Sequence, residues 1–276
     1  MQPKPTWLIE RGVYRQHAAP FAAEVSRQGM KAFEVDYRPG REPPYDIGGG
    51  PLFPEDACIV HWGTLPLMQQ IQLRRKWRPG GWCNVEKLDC AAYYPHFRRY
   101  LLNVDFAIAT GEEALRRQEE LFAEFGIDDE IFVRPSGVHK IFAGKIAYQD
   151  DFREAIAPAR YDPATKILVS SPKEVEREWR LVVVGSETVA SSQYKAKGSI
   201  ELSRGAPREV LEFAANALQQ VTWRPDEAFV MDVGQSSGDC GIIELNSFSC
   251  SGFYECDLAA IISAASRLAG ESASQI

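Results

Sequence analysis

The sequence predicts a mixed α+β protein, because short β-rich runs alternate with helical stretches along the whole chain. Near the start, β-rich runs at Thr6–Glu10 and Lys31–Val35 enclose a helical stretch at 18–28, which Gly29 closes. A further β-rich run follows at 57–63, so the chain begins as a small α/β unit. Its 276 residues suffice for one large domain or for two to three smaller ones.

The composition is that of a compact globular protein. Hydrophobic residues make up 45% and charged residues 25%, and no apolar run approaches the roughly 18 residues that span a bilayer. We therefore expect no membrane partner. The first residues carry neither the basic start nor the long apolar stretch of an export signal, which favours the cytoplasm. The net charge of -7 argues against a nucleic-acid partner, since such a surface needs clustered Lys and Arg.

The cysteines and histidines follow no metal-binding pattern. Six cysteines stand at positions 58, 83, 90, 240, 250 and 256, without a C-x2-C pair. Six reduced thiols are therefore favoured over a zinc site or a dithiol. The four histidines also lack the spacing of a metal site.

Glycine and proline mark the loops of the first half. The stretch 37–54 is crowded with both, so we expect a loop without regular structure. Its triple glycine at 48–50 lacks the lysine of a phosphate-binding loop and indicates a surface turn. A helix is predicted at 64–77 and a second loop at 78–84. The aromatic residues of 90–103 favour core packing over a ligand site.

The second half is predicted to hold three helices and a series of strands. The first helix spans 110–126, with Thr110 as its N-cap and Gly126 as its stop. The predicted strands are 130–135, 166–171, 178–185, 188–195, 227–234 and 241–248. The other two helices are predicted at 207–221 and 257–268.

The last two predicted strands bring three oxygen-bearing side chains together. Side chains alternate along a strand, so Glu244 and Asn246 share one face. Ile243 and Leu245 are expected on the opposite face. Asp232 stands twelve residues before Glu244, on the preceding strand. If the strands pair through the turn formers between them, about position 238, Asp232 lies opposite Glu244.

This arrangement predicts a site for a divalent cation. Two carboxylates directly opposite each other repel, and burying them is costly unless a positive charge intervenes. Oxygen ligands suit Mg²⁺ or Mn²⁺; the alternative is a solvated acidic hairpin, and spacing alone does not decide. Basic residues favour the metal, because a cation bound to phosphates needs phosphate clamps beside it. These residues are Arg134, Lys140, Lys145, Lys173 and Arg180.

Three segments resemble one known family. "FVMDVG…GDCGIIELNSFSCSGFY" resembles the C-terminal signature of the ATP-grasp enzymes, in which an Asp and a Glu-x-Asn hold the magnesium of Mg-ATP. "EWRLVVVGSETVASSQYK" is similar to the signature that precedes it. "IFVRPSGVHKIFAGK" resembles the version of a divergent bacterial and phage clade, in which an arginine replaces the usual phosphate-binding lysine. The resemblance extends over about residues 132–254.

The resemblance implies the ATP-grasp fold, in which two α+β subdomains grip ATP behind a small α/β domain. The expected divisions are an N-terminal pre-ATP-grasp domain at 1–105, an N-subdomain at 106–171 and a C-subdomain with the metal site at 172–276. Adenine is expected between the two subdomains, near 167–175. The glycine-rich flap of many relatives is shortened here, and no upstream phosphate-binding lysine is identified.

The resemblance also implies a role for each candidate side chain. The implied ligands of Mg²⁺ or Mn²⁺ are Asp232, Glu244 and Asn246. The implied contacts to ATP are Arg134, Lys140, Lys173, Glu176, Glu178 and Arg180. Among these, Arg134 and Arg180 are expected to be catalytic, with Arg180 facing the γ-phosphate or an acyl phosphate. The two glutamates are expected near the ribose or the hinge, and Lys173 is a further phosphate candidate.

The implied function is that of an ATP-dependent ligase that joins a carboxylate to an amine through an acyl phosphate. Its substrates would be a small acid and amine or a peptide end. A phosphotransferase and a nucleotide-binding accessory protein without turnover are the alternatives. Covalent catalysis by Cys250 or Ser249 is not expected, because neither has a fixed His partner in sequence. The identity of the substrates and the oligomeric state stay open.

Overall fold

A computed structural model describes residues 3–38, 46–47, 50–51, 53–157 and 162–274 of the chain. Within these ranges the strands form three four- or five-stranded sheets and one two-stranded ribbon. Helices of the length and apolarity that a membrane crossing requires do not occur in these ranges. Positions 48 and 49 of the predicted glycine turn lie outside the described residues.

The first hundred residues build a parallel sheet. Their elements are β1 (Thr6–Glu10), α1 (Arg15–Arg27), β2 (Lys31–Val35), β3 (Asp46–Ile47), β4 (Gly50–Pro51), β5 (Cys58–Trp62), α2 (Leu65–Arg74), β6 (Arg78–Gly80), α3 (Cys90–Phe97) and a 3-10 helix, Arg98–Tyr100. The strand order is β2-β1-β5-β6, which confirms the β-α-β start. β1 and β5 are buried over most of their length, as expected of central parallel strands.

The middle of the chain builds an antiparallel sheet in the order β7-β10-β8-β9. Its elements are β7 (Phe106–Thr110), α4 (Gly111–Arg116), α5 (Gln118–Phe125), β8 (Glu130–Pro135), β9 (Lys145–Tyr148), α6 (Phe152–Ile156) and β10 (Lys166–Ser170). The single helix predicted over 110–126 is wrong, because the backbone leaves helical geometry at Arg117 and divides it into α4 and α5. The predicted N-cap is confirmed, since Thr110 and Glu113 form a capping box.

The carboxyl-terminal part builds a five-stranded antiparallel sheet in the order β13-β12-β11-β14-β15. Its elements are β11 (Arg177–Val184), β12 (Glu187–Ala196), β13 (Ser199–Arg204), α7 (Arg208–Gln220), β14 (Ala228–Ser236), β15 (Asp239–Ser247) and α8 (Leu258–Ala273). The predicted strands and helices of this part are therefore confirmed, apart from β13, which was not predicted.

The two faces of the five-stranded sheet pack against different parts of the chain. One face, which includes Leu181, shares a core with α7 and α3. The other face, which includes Val182, shares a core with α8, α1, β1 and β5. Trp7 of β1 donates an indole hydrogen bond to Ser266 of α8 over 3.0 Å. The last sheet and the amino-terminal sheet are therefore joined through one hydrophobic core.

Several short elements escaped the sequence analysis. β9 and α6 have four and five residues, too few for a hydrophobic period to develop. All six residues of β13 are exposed, so the strand carries no buried pattern. The predicted loop at 78–84 contains β6, whose proline is tolerated because the strand lies at a sheet edge. The predicted loop at 37–54 likewise contains β3 and β4.

Candidate active site at the acidic hairpin

β14 and β15 form the expected hairpin, and Asp232 lies directly opposite Glu244. Ser237 and Gly238 form the tip, with φ angles of 52° and 86°. Two successive residues with positive φ are typical of the tight turns that join antiparallel strands. The pairing and the turn predicted from the sequence are both confirmed.

A β-bulge next to Asp232 determines which residues of β15 face the site. The register shifts by one residue there and leaves Ile243 without a partner. Ile242 and Leu245 consequently both lie in the core behind the sheet. Ile243 and Glu244 both line a cavity in front of it. The expectation that Ile243 packs on the face opposite Glu244 is therefore wrong.

Asp232 is held by an arginine of the same sheet. Arg180 lies opposite it on β11 and donates from Nε and Nη2 to the two carboxylate oxygens, over 2.9 and 2.7 Å. The third guanidinium nitrogen donates to the carbonyl oxygen of Gly252 over 2.8 Å. The Arg180 guanidinium carbon also lies 4.9 Å from the ring centroid of Tyr254 and 5.7 Å from that of Tyr194. Burial raises the pKa of Asp232, and Arg180 offsets part of that rise.

Glu244 is held by two cations from the middle of the chain. Arg134, on β8, donates to one carboxylate oxygen of Glu244 and, over 3.3 Å, to the carbonyl of the bulged Ile243. Lys140 donates to the other oxygen over 2.9 Å. Burial acts to raise the pKa of Glu244, but Arg134, Lys140 and Asn246 together hold it below the ordinary value. Glu244 therefore links the small middle sheet to the five-stranded sheet.

Asn246 bridges the two carboxylates, with its side-chain nitrogen 2.9 Å from Glu244 Oε1 and 3.1 Å from Asp232 Oδ2. All three predicted side chains therefore converge on one spot. The positive charge that the sequence analysis required is supplied by Arg134, Lys140 and Arg180. Among the described residues, no group of three or more His, Cys, Asp or Glu side chains could hold a metal, so any cation here would depend on the asparagine oxygen as a third ligand.

A cavity of about 910 Å³ lies on one side of this cluster, between the middle sheet and the five-stranded sheet. Five of the six side chains predicted to contact ATP line it; they are Arg134, Lys140, Lys173, Glu176 and Glu178. Lys145 lines it as well. Its other walls include apolar side chains such as Phe132 and Ile146. We call this space the hinge cavity, because the segment 171–176 between β10 and β11 borders it.

A second cavity, of about 610 Å³, lies on the other side of the cluster, against the amino-terminal unit. Arg180 and Asn246 line this cavity rather than the first. Lys140 lines both. The starts of α1 and α2 also border it, through Tyr14 and Thr64 among others. We call it the front cavity; its lining contains no Asp or Glu among the described residues.

The hinge residues have partners of their own. Lys173 lies 3.5 Å from the carboxylate of Asp105. Glu178 accepts a hydrogen bond from the Tyr194 hydroxyl and forms an ion pair with Lys195 over 2.9 Å. Glu176 is exposed at the rim of the hinge cavity. These contacts neither assign nor exclude the ribose or hinge roles, which stay predictions.

Two tyrosines of the site were missed. Tyr194 and Tyr254 stack with centroids 5.0 Å apart and planes 9° apart, and they line the hinge and front cavities respectively. Tyr254 adopts a φ of 48°, which is rare for an aromatic residue. Tyr194 could have been found, because it belongs to a predicted strand that pairs with the strand of Arg180. The backbone of Tyr254 gives no signal in the sequence.

The family is established by residues 103–264, which match the model of an ATP-grasp domain family, the second family of its clade. The match covers more than half of the chain, so the protein belongs to this family. It includes the hairpin, the hinge and the basic residues described above. The equivalence of Arg134 to the usual phosphate-binding lysine stays a prediction. No curated protein matches the chain in sequence.

Solved ATP-grasp structures share the fold over nearly the whole chain. D-cycloserine synthetase DcsG aligns with a TM-score of 0.64 at 12% identity, covering 95% of this chain and 99% of its own. D-alanine–D-alanine ligase from Bacillus anthracis aligns with a TM-score of 0.59 at 12% identity, covering 98% and 97%. The ligase PsnB, complexed with minimal precursor, Mg and ADP, aligns with a TM-score of 0.56 at 12% identity, covering 96% and 97%. At these identities the likeness establishes the fold, so the expected fold class is confirmed.

Proposed function

We propose that the protein is an ATP-dependent ligase that joins a carboxylate to an amine through an acyl phosphate. The observation that carries the proposal is the position of the acidic hairpin between two cavities that share Lys140. A ligase of this kind needs a nucleotide and an acid on opposite sides of one phosphoryl group. The cluster of Asp232, Glu244 and Asn246 has cavities on both sides and cations around it.

The hinge cavity is the proposed nucleotide site. Its volume of about 910 Å³ lies within the usual range for small-molecule sites, and it combines apolar walls with charged groups. The apolar walls suit a base, while Arg134, Lys140 and Lys173 suit phosphates. The ligands named for PsnB include ADP and Mg, which supports a nucleotide site in this fold.

The hairpin residues fit a magnesium ion by the chemistry of their donors. Mg²⁺ prefers oxygen ligands and completes its shell with water and phosphate oxygens, so two carboxylates and one amide suffice. In the described arrangement the Asn246 nitrogen points at both carboxylates. Rotation of this amide by half a turn would offer its oxygen to a cation instead, and amide orientation is set by such partners. When bound, the ion would neutralise charge on the transferring phosphoryl group.

Arg134 and Lys140 have a second role in this proposal. Both neutralise Glu244 in the described structure, and both line the hinge cavity. A cation at the hairpin would release them from Glu244, so that they could donate to phosphate oxygens as negative charge develops there. Arg180 lines the front cavity, where the proposed acyl phosphate would form.

The front cavity is the proposed site of the acid and the amine. A carboxylate oxygen entering from this side attacks the γ-phosphorus, the bond to the bridging oxygen breaks, and ADP leaves. The amine then attacks the acyl carbon and phosphate departs. The absence of acidic side chains among the described lining residues favours an anionic substrate. The names of the structural neighbours include D-alanine and a precursor peptide, so both amino acids and peptides belong in the test.

The test is ADP release with Mg-ATP over a panel of amino acids, small carboxylates and peptides, with hydroxylamine as the trapping amine. An acyl hydroxamate formed together with ADP supports the ligase. ADP release with a stable phosphorylated acceptor and no hydroxamate would identify a phosphotransferase instead. Binding of Mg-ATP without turnover over the whole panel would point to an accessory protein. The matched variants are Glu244→Gln, expected to be inactive, and Glu212→Gln on the exposed face of α7, expected to retain activity.

A further inference from the structure

Two thiols from distant parts of the chain meet on the wall of the front cavity. Cys83 lies in the segment between β6 and α3, and Cys250 lies in the segment that follows β15. Their sulfur atoms are 3.9 Å apart although the residues are 167 positions apart in sequence. Both are free thiols, and both line the front cavity. No step of the proposed ligase reaction uses either of them.

Hydrogen bonds fix the backbones beside these two thiols. Ser247 donates from Oγ to the carbonyl of Trp82 over 3.0 Å and accepts from the backbone N–H of Cys250 over 3.0 Å. Ser249 accepts from the backbone N–H of Trp82 over 2.9 Å. The two segments are therefore held side by side. The remaining approach to a disulfide bond of about 2.05 Å is left to side-chain rotation.

The two thiols differ in reactivity. Cys250 donates its S–H to the sulfur of Cys83, which lowers the pKa of the Cys83 thiol. The same contact, together with burial, raises the pKa of Cys250 well above its ordinary value. Because the thiolate is the nucleophile, Cys83 is the sulfur that reacts first. It is reached from the cavity, since it is otherwise buried.

We propose that Cys83 and Cys250 are a site of reversible oxidation that forms a disulfide with hydrogen peroxide as the oxidant. The Cys83 thiolate attacks one peroxide oxygen, the O–O bond breaks, and a sulfenic acid and one water result. The sulfur of Cys250 attacks the sulfenic sulfur, the S–S bond forms, and the S–O bond breaks to release a second water. The two thiols lose two electrons and two protons, and the peroxide is reduced to two waters. A small dithiol reverses the reaction by exchange.

The bond would link the amino-terminal unit to the segment that follows the metal-site strand. That segment carries Ser251, Gly252 and Tyr254, all of which line the front cavity. A cross-link there fixes the wall against which the acid and amine are proposed to bind. Oxidation is therefore expected to reduce ligase activity reversibly, a consequence that rests on the proposed function, whereas the formation of the bond does not.

The experiment treats the folded full-length protein with hydrogen peroxide, blocks the remaining thiols with an alkylating reagent, and digests it without reductant. Mass spectrometry is expected to find one cross-linked peptide that joins Cys83 to Cys250, lighter by two hydrogen atoms than its parts. Dithiothreitol is expected to restore both thiols. Cys240→Ser serves as the matched control, since Cys240 is a half-buried thiol outside both cavities, and it is expected to form the same cross-link.

Three outcomes would overturn the proposal. One is full alkylation of Cys83 and Cys250 after peroxide treatment that oxidises other thiols of the chain. Another is an equal yield of this cross-link in protein unfolded in urea, where the 3.9 Å proximity is lost. The third is a cross-link from Cys83 in the Cys250→Ser variant at the parental yield. Because these readouts are masses, a failure of the proposed ligase activity would leave the test of the disulfide intact.

Discussion

Asp232 and Glu244 face each other across one pair of strands, yet their surroundings differ in kind. The Asp232 side chain is 1% exposed, and its partner Arg180 comes from the neighbouring strand of the same sheet. The Glu244 side chain is 13% exposed, and its partners Arg134 and Lys140 come from the middle of the chain. One carboxylate is therefore part of a fixed framework, whereas the other joins two bodies of structure.

The difference indicates separate duties for two groups that the sequence presents as equivalent. The pair of Asp232 and Arg180 is closed on all sides by backbone and by aromatic rings. Glu244 borders the hinge cavity and accepts a hydrogen bond from Lys140, whose side chain is 51% exposed. A ligand that draws Lys140 or Arg134 away changes the environment of Glu244 far more than that of Asp232.

The largest effect is expected from Asp232→Ala. This change leaves the buried Arg180 guanidinium without its carboxylate, and breaking a buried ion pair costs about 3–5 kcal/mol of unfolding free energy. Glu244→Ala should cost less, about 1–3 kcal/mol, because Arg134 keeps its backbone acceptor and Lys140 turns to solvent. Urea unfolding of both variants measures the difference. Equal losses would contradict the separation of a framework carboxylate from a linking one.

A double variant sharpens the same comparison. Replacement of both partners, Arg180→Met with Asp232→Leu, removes the uncompensated charge and should recover most of the stability that Asp232→Ala loses. If the double variant is as unstable as the single one, Asp232 stabilises the fold through something other than its pairing with Arg180. Urea unfolding again provides the measurement, with unchanged dependence on denaturant as the check on cooperative unfolding.

A smaller effect is expected from ligand binding. Mg-ATP at about 100 times its dissociation constant should stabilise the parent by about 2.7 kcal/mol, seen as a rise in melting temperature. Glu244→Gln should lose most of this rise, because the amide no longer neutralises a cation. Glu212→Gln, an exposed glutamate on α7, should keep it. An equal rise in the parent and in Glu244→Gln would refute the assignment of Glu244 as a metal ligand.

The smallest effect concerns acid. The folded-state pKa of Glu244 is lowered, so its stabilising contribution is present above the unfolded value of about 4.3 and is lost as the pH falls toward the folded value. The folded-state pKa of Asp232 is raised, so its contribution has the opposite sign and is lost as the pH rises through that value. Glu244→Gln should therefore weaken the loss of stability below about pH 4.3, and Asp232→Asn should not. Melting temperatures from mildly acidic to neutral pH test this, and parallel profiles for the two variants would contradict it.

The sequence predicted the regular part of the fold and the convergence of the site. Alternation placed Glu244 and Asn246 on one face, and turn formers positioned the hairpin about position 238. Both predictions rest on the period of two along a strand, which holds without knowledge of tertiary contacts. The same rule failed at Ile243, because a bulge breaks the period and leaves no local signal in an apolar strand.

The partners of the carboxylates could be predicted only as a set. The sequence indicated that basic residues must accompany the acidic hairpin, and Arg134, Lys140 and Arg180 do so. Which cation meets which carboxylate depends on how two sheets pack, and that packing is not written in any local pattern. The closeness of Cys83 and Cys250 was missed for the same reason, since their separation of 167 residues excludes a spacing rule.

Lys140 lines the hinge cavity and the front cavity and also bonds to the carboxylate between them. One ammonium group thus senses whichever ligand arrives first. Affinity for the nucleotide and affinity for the acid are then thermodynamically linked, and the linkage must be the same in both directions. A lysine at this place makes the order of loading a property of a single side chain.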